Sequence, residues 1–262
     1  MTPLTDILQI NIPFTMLRDS YLDRFIADRL NPEIGFDADA LDGSPLPVVQ
    51  TVARTIRDAG LTVTFHAPYM DLSPGSPDPE VRAITRQRLE QVVRLIPLFA
   101  PKTVVCHTGY DHRRYWHMKD AWLTNSLDTW SGIAGQIRSE GAVLMLENVY
   151  EQAPDDMCPL LENLQDHGVG FCLDTGHQSV FSNASMAMWV TSLGPYLRQL
   201  HLHDNAGQVD EHLALGRGRI DFPLLFRQLL ATTDTQPVVT LEPHTEEELW
   251  PSLKYLERIW PW

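Results

Sequence analysis

Residues 62–107 read "TVTFHAPYMDLSPGSPDPEVRAITRQRLEQVVRLIPLFAPKTVVCH". The outer segments, TVTFHA (62–67) and TVVCH (103–107), are almost wholly apolar or β-branched, as strands covered on both faces are. Between them, Val81, Ile84, Leu89, Val92, Val93 and Ile96 form a stripe at helical spacing, and Asp78 and Glu80 favour the helix start. Strand, helix and strand in this order imply parallel neighbours in one sheet. Both apolar runs finish at or beside a histidine, His66 and His107.

The same alternation extends in both directions. Candidate strands are ILQINI (7–12), EIGFD (33–37), VLMLEN (143–148), VGFCLD (169–174), RQLHLHD (198–204) and PVVTLE (237–242), with little alternation of apolar and polar residues. KDAWLTNSLDTWSGIAGQIRSEG (119–141) and EEELWPSLKYLERIW (246–260) are further helical patterns, and Pro251 marks a start or a break in the second. Eight strands with a terminal helix imply a single (β/α)8 TIM barrel, one domain over residues 1–262. A doubly wound open sheet is the alternative. It has no support from a G-x-G-x-x-G after the first strand or from a G-x-x-x-x-G-K-S/T.

Six of the eight strands end in a polar group: His66, His107, Glu147, Asp174 with His177 three residues on, His201 with His203, and Glu242. Core packing does not require this pattern. In a barrel the C-terminal strand ends converge on one rim, and Asp, Glu and His there suit divalent zinc, manganese or magnesium. His201 and His203 share one face of their strand; the deeper His201 is the expected ligand and His203 a supporting or substrate contact. Asp37 ends the second strand and is either a loop acid or a substrate contact. His112, His117, His167 and His244 have no such placement and read as surface or structural residues. Trp116, Trp122, Trp130, Trp189 and Trp250 are expected mostly in the core. In VDEHLALGRG (209–218), Asp210 and His212 are two residues apart and project to one side if the segment is extended.

Lys plus Arg is 20 against 34 Asp plus Glu, a net charge of −14. That balance disfavours a grip on nucleic acid, which needs clustered cations to displace phosphate counterions. The densest basic run, DHRRYWHMK (111–119), is bounded by acids. No run approaches the ~18 apolar residues of a membrane helix. The opening residues show no secretory pattern, and Cys106, Cys158 and Cys172 read as thiols, so a reducing cytoplasm is expected.

FHAPYMDLSPGSPDPEVR (65–82), LENVYEQAPDDM (146–157), FCLDTGH (171–177) and HLHDNAGQVDEHLALGRGRIDF (201–222) together resemble the xylose isomerase-like TIM barrels, from about residue 60 onward. That superfamily contains sugar and sugar-phosphate isomerases and epimerases, and also the endonuclease IV class of abasic-site endonucleases. The isomerase branch holds one metal with two glutamates, an aspartate and a histidine, matched by Glu147, Glu242, Asp174 and His201. The endonuclease branch holds three zinc ions with further ligands, matched by His66, His107, His177, Asp210 and His212. Tyr69 also matches the endonucleases. The resemblance thus implies one to three divalent ions (Zn, Mn or Mg).

Two chemistries follow. In an isomerase or epimerase a metal polarises a carbonyl while Glu147 and Glu242 exchange a proton at the adjacent carbon. In a phosphodiesterase, clustered ions activate water and brace the leaving oxygen. The charge balance favours a small polyhydroxylated or phosphorylated substrate, with Arg217 and Arg219 available to fork onto a phosphate or carboxylate. A sugar or sugar-phosphate isomerase or epimerase is therefore the first expectation, and a zinc phosphodiesterase resembling endonuclease IV is the alternative.

Overall fold

A computed structural model describes residues 3–233 and 236–262. Eight parallel strands close into a barrel in chain order: β1 (Gln9–Pro13), β2 (Asn31–Gly35), β3 (Thr64–His66), β4 (Thr103–His107), β5 (Val143–Glu147), β6 (Gly170–Asp174), β7 (Leu197–Leu202) and β8 (Val238–Leu241). Closure runs through Gln9 opposite Thr240 and Ile10 opposite Leu241. The chain is a (β/α)8 barrel with the expected strands in the expected order. Asp37, His203 and Glu242 stand just past their strands, on the segments that form the rim.

The helix Pro79–Val93 shows how local sequence builds the outer layer. Asp78 caps it by accepting from the Glu80 amide at 2.9 Å, and Pro79 takes the first helical position, where no amide is needed. Its buried positions are Thr85, Leu89 and Val92, and Ile96 continues the face from the next short helix, Ile96–Phe99. Ile84 departs from the expected stripe and is 58% exposed, because the register that buries Leu89 and Val92 turns it outward. The last helix, Glu246–Ile259, runs through Pro251. Burying Leu253 and Leu256, about 1.5–3 kcal/mol each, outweighs the ~3 kcal/mol cost of an interior proline. Trp122, Trp130 and Trp189 are buried as expected, whereas Trp116 and Trp250 are exposed.

The barrel interior is more polar than the strands suggested. Gln9, Glu33, Thr64, Thr103, Gln199 and Thr240 are all buried. The Glu33 carboxylate sits among them. Its Oε2 accepts from Thr64 Oγ1 (2.9 Å), Gln199 Nε2 (2.7 Å) and Thr240 Oγ1 (3.0 Å), from three different strands. Gln199 Oε1 in turn accepts from Thr103 Oγ1 at 2.6 Å. Among the described residues, Val105, Met145 and Cys172 form an apolar patch separate from the main core. This hydrogen-bonded floor lies beneath the rim and supports it. Among the described residues, no helix is long and apolar enough to cross a membrane.

Candidate metal centre

Glu147, at the end of β5, is the hub. Its Oε2 lies 3.1 Å from His66 Nε2 and 3.5 Å from His107 Nε2; its Oε1 lies 3.2 Å from His177 Nδ1 and 3.5 Å from His201 Nδ1. Parallel strands in register bring these residues together: His107 is opposite Glu147, and Asp174 is opposite His201. Glu242 Oε1 is 3.0 Å from His201 Nδ1. Asp174 caps the helix Thr175–Phe181 by accepting from the His177 amide at 2.6 Å, which brings the His177 ring over the rim. Asp210 Oδ2 is 3.3 Å from both His177 Nε2 and His212 Nε2. Asn148 ties the neighbouring strand ends together, accepting from the Asp174 amide (2.9 Å) and donating to the Asp174 carbonyl (3.0 Å).

The nine residues expected as ligands therefore meet in one place. Within it, His66, His107 and Glu147 bring ligand atoms within 4.8 Å of one another, as do Glu147, Asp174 and His201. Asp210 and His212 form a further group with His203.

The hydrogen bonds behind the rings test whether these residues suit a cation. His66 Nδ1 is 2.9 Å from the Ala67 carbonyl, His177 Nδ1 is 3.0 Å from that of Asn148, and His212 Nδ1 is 2.9 Å from that of Glu242. A carbonyl only accepts, so each Nδ1 carries the proton and each Nε2 presents a lone pair. Those lone pairs face carboxylate oxygens at 3.1–3.3 Å. Two acceptors so close repel unless a proton or a cation stands between them. His201 Nδ1, His203 Nδ1 and Asp210 Oδ1 are buried without a hydrogen-bond partner. Nitrogen and carboxylate donors in this arrangement fit divalent zinc, manganese or magnesium.

The electrostatics agree. Burial opposes ionisation of Glu147, but the charge of His201 and hydrogen bonds from His177 and His201 overcome it and hold the carboxyl well below its ordinary range. Burial likewise opposes charge on His212, yet Asp210 and Glu242 push it up to about 9. His177 is raised well above its usual value against burial, chiefly by Asp174 and Asp210. His107 goes the other way: burial pushes it down to about 3, so its ring is neutral and available as a ligand. Without cations, protons must serve as the counter-charges of these carboxylates.

His203 is 1% exposed and does not line the cavity above the rim, so it is not a substrate contact. Its Nε2 is 3.1 Å from both Asp174 oxygens, and its ring packs on Gly176, where an added Cβ would come within 1.9 Å of Cε1. Arg217 and Arg219 lie outside the cavity lining; Arg217 reaches Glu248 at 3.4 Å. Their loop is ordered by Asp204, whose carboxylate accepts from the amides of Asn205 (2.9 Å), Gly216 (3.0 Å), Gly218 (2.8 Å) and Ile220 (3.1 Å). Asp210 and His212 therefore are not needed to order it. His244 is not a bystander: it stacks on His212 at 3.9 Å and lines the cavity. Asp37 lines the cavity and also caps a helix, accepting from the Ala40 amide at 2.7 Å. Tyr69 lines it too, half-exposed and stacked on His107 at 4.5 Å.

Sequence reasoning misses Glu33, although an acid within the second strand is a visible signal. Its Oε1 lies 3.0 Å from His201 Nε2, which fixes that ring with Nδ1 toward Glu147 and Glu242. Replacement by glutamine is expected to weaken metal binding beside His201 by roughly 10–100-fold. Competition with a chromophoric chelator measures this, and unchanged affinity would refute the assignment.

Glu151, in the segment that follows β5, is outside the cluster. Its carboxyl meets Thr108 Oγ1 and accepts from the Val149 amide at 2.7 Å. Burial pushes it up from 4.5 to about 7. A raised carboxyl stays neutral in the fold after its unfolded counterpart has ionised. The stability it contributes thus falls as pH rises from 4.5 to about 7, by about 3 kcal/mol. Glu151→Gln lacks this loss, so the stability difference between variant and wild type should shift in the variant's favour across that window. Denaturant melts at pH 5 and pH 8 read it, and a constant difference contradicts it.

The mouth above the cluster is a cavity of about 600 Å³. Comparisons with known proteins accord with these features. The protein is 28% identical over 167 residues to an uncharacterised protein, MJ1311, of Methanocaldococcus jannaschii; this covers 61% of the chain but only 57% of that relative. It is 25% identical to a probable endonuclease 4 of Mycobacterium leprae, over 68% of this chain and 73% of the other. Among solved structures, the TTHB071 protein of Thermus thermophilus, soaked with ZnCl2, superposes with a TM-score of 0.81 at 26% identity, covering 97% of each chain. A D-tagatose 3-epimerase-like protein superposes at 0.79 with 20% identity, over 97% of this chain and 96% of the other, and at that identity shows the fold alone. A family model matches residues 29–259, and the chain belongs to the xylose isomerase-like TIM barrel family.

Proposed function

We propose that this protein is a metal-dependent phosphoric-ester hydrolase with a polynuclear centre, acting on a small substrate. One observation carries the reading. Five residues that a one-metal isomerase does not require join the four it would use: His66, His107 and His177 stand against Glu147, His212 reaches the Glu242 carbonyl, and Asp210 links His177 to His212. The rings of His66, His177 and His212 are oriented by main-chain carbonyls, as ligands are. Ions bound there would supply positive charge to a phosphoryl oxygen and make a water more acidic.

The chain's own groups set the rest. Burial opposes ionisation of Glu242, but the neighbouring charge of His201 keeps it low, so it is ready to accept a proton. It lines the cavity together with Glu147. The net charge of −14 and a cavity lined by Asp37, Asp71 and Asp111 favour a small ester over duplex DNA.

The isomerase or epimerase reading keeps one specific support. Glu147 Oε1 and Glu242 Oε1 lie 3.5 and 3.0 Å from the same His201 nitrogen, an arrangement suited to passing a proton across a carbonyl-bearing carbon. Elemental analysis separates the two. About three zinc per chain, with hydrolysis of bis(p-nitrophenyl) phosphate lost in Glu242→Ala, supports hydrolysis. About one manganese or magnesium, with epimerisation of a ketohexose and no ester cleavage, overturns it. Incision of an abasic-site duplex at a rate matching the small ester would keep the hydrolase and replace its substrate with DNA.

A further inference from the structure

Arg114 is the only lysine or arginine among the described residues that line the cavity. It belongs to a short helix, His112–Tyr115, on the loop after β4. Its neighbour Arg113 is committed: Nη2 and Nε hold the two oxygens of Asp111 at 2.9 and 3.0 Å, and its guanidinium lies 5.3 Å from the Tyr150 ring. Arg114 differs. Among the described residues no carboxylate stands within ion-pair distance of it, and its guanidinium carbon lies 5.5 Å from the Tyr115 ring centre. Asp111, the acid that precedes this helix, already has both oxygens held by Arg113.

The surroundings make this cation specific. Asp37 and Asp71 also line the cavity, so the entrance repels a diffuse polyanion. A guanidinium with no ion-pair partner among the described residues, in a lining that also holds Asp37 and Asp71, selects a single compact anion by forked hydrogen bonds. Tyr69 and Tyr150 line the same cavity and are 52% and 43% exposed.

We propose that Arg114 is the specificity-determining anchor for a second, non-reacting anionic group on the substrate, which is a small phosphate ester carrying a further phosphate. This replaces the role first given to Arg217 and Arg219, and it rests on the reading of the cavity as a phosphate-ester site. The reacting ester sits at the metal cluster and the second phosphate takes Arg114.

The test uses the zinc-loaded protein and two esters differing by one phosphate: thymidine 5′-p-nitrophenyl phosphate, and the same compound phosphorylated at its 3′ oxygen. Arg114→Gln should raise KM for the bisphosphorylated ester about tenfold with kcat unchanged, as the loss of one charge-assisted contact implies, and leave the other ester unaffected. Arg114→Lys should recover part of the loss. Equal effects on both esters, or none, overturn the anchor. Calorimetric titration with thymidine 3′,5′-bisphosphate and thymidine 5′-monophosphate tests it without turnover. The wild type should favour the bisphosphate about tenfold and Arg114→Gln should not. If neither ester is cleaved but this preference appears, the hydrolase reading fails and the anchor stands. If the preference is absent while the esters are cleaved, the anchor fails alone.

Discussion

Replacing Glu147 with glutamine is expected to strip metal from the positions it borders and to lower kcat by about 10³-fold. The carboxylate faces four imidazoles at 3.1–3.5 Å and is shared between the His66–His107 and Asp174–His201 groups. Glutamine keeps the shape but has one oxygen and no charge. It cannot offer an anionic oxygen to both sides. Losing about 4 kcal/mol of charge stabilisation corresponds to that rate factor. The fold should persist, because β5 remains paired with β4 and β6. Metal analysis after dialysis, far-ultraviolet circular dichroism and steady-state rates measure this together. A folded variant with full metal content and kcat within tenfold of wild type would sink the assignment of Glu147 as the shared ligand.

Removing the metal should lower Tm by about 10 °C, and restoring zinc should reverse the change. Free metal at a thousandfold excess over Kd contributes about 4 kcal/mol, and each kcal/mol shifts Tm by about 2–4 °C in a chain of this size. The effect depends on pH. In the metal-free protein, protonated His177, His201 and His212 balance the carboxylates. A histidine raised to about 9 stabilises the fold fully below 6.5, and that contribution is lost as pH rises through about 9. Metal must displace the same protons, so binding tightens over the same range. The Tm gap between loaded and chelated protein should therefore widen from pH 6 to pH 9. A flat or narrowing gap would mean these histidines are not ligands.

Much of the fold is legible in the sequence because barrel strands and helices have local periods. TVVCH matches its strand to the residue, and the order of all eight strands follows from alternation alone. The candidate ligands are legible for a related reason. A polar residue at the end of an apolar strand is unusual in a core, and His66, His107, Glu147 and Asp174 all carry that mark. What fails depends on side-chain direction. Ile84 has the spacing of a core residue, and the spacing of His203 leaves a supporting contact and a substrate contact both open. Spacing along a strand says which face a residue takes but not what packs there, and Gly176 is what seats His203. Glu33 escapes notice because an acid inside a strand has no meaning until the strands across the barrel supply Thr64, Gln199 and Thr240.

By itself the sequence determined the barrel, its strand order and the polar groups at the strand ends, because these are written in local patterns of apolar and polar residues; the family resemblance added Asp210 and His212 to the candidate ligands. Only the tertiary structure decided that Asp210 and His212 join the other candidate ligands while Asp204 holds the Gly-Arg-Gly-Arg loop, and that Arg114 lines the cavity while Arg217 and Arg219 do not. The physical reason is that ligation and charge pairing depend on distances of about 3 to 4 Å between segments far apart in the chain, which closure of the barrel sets.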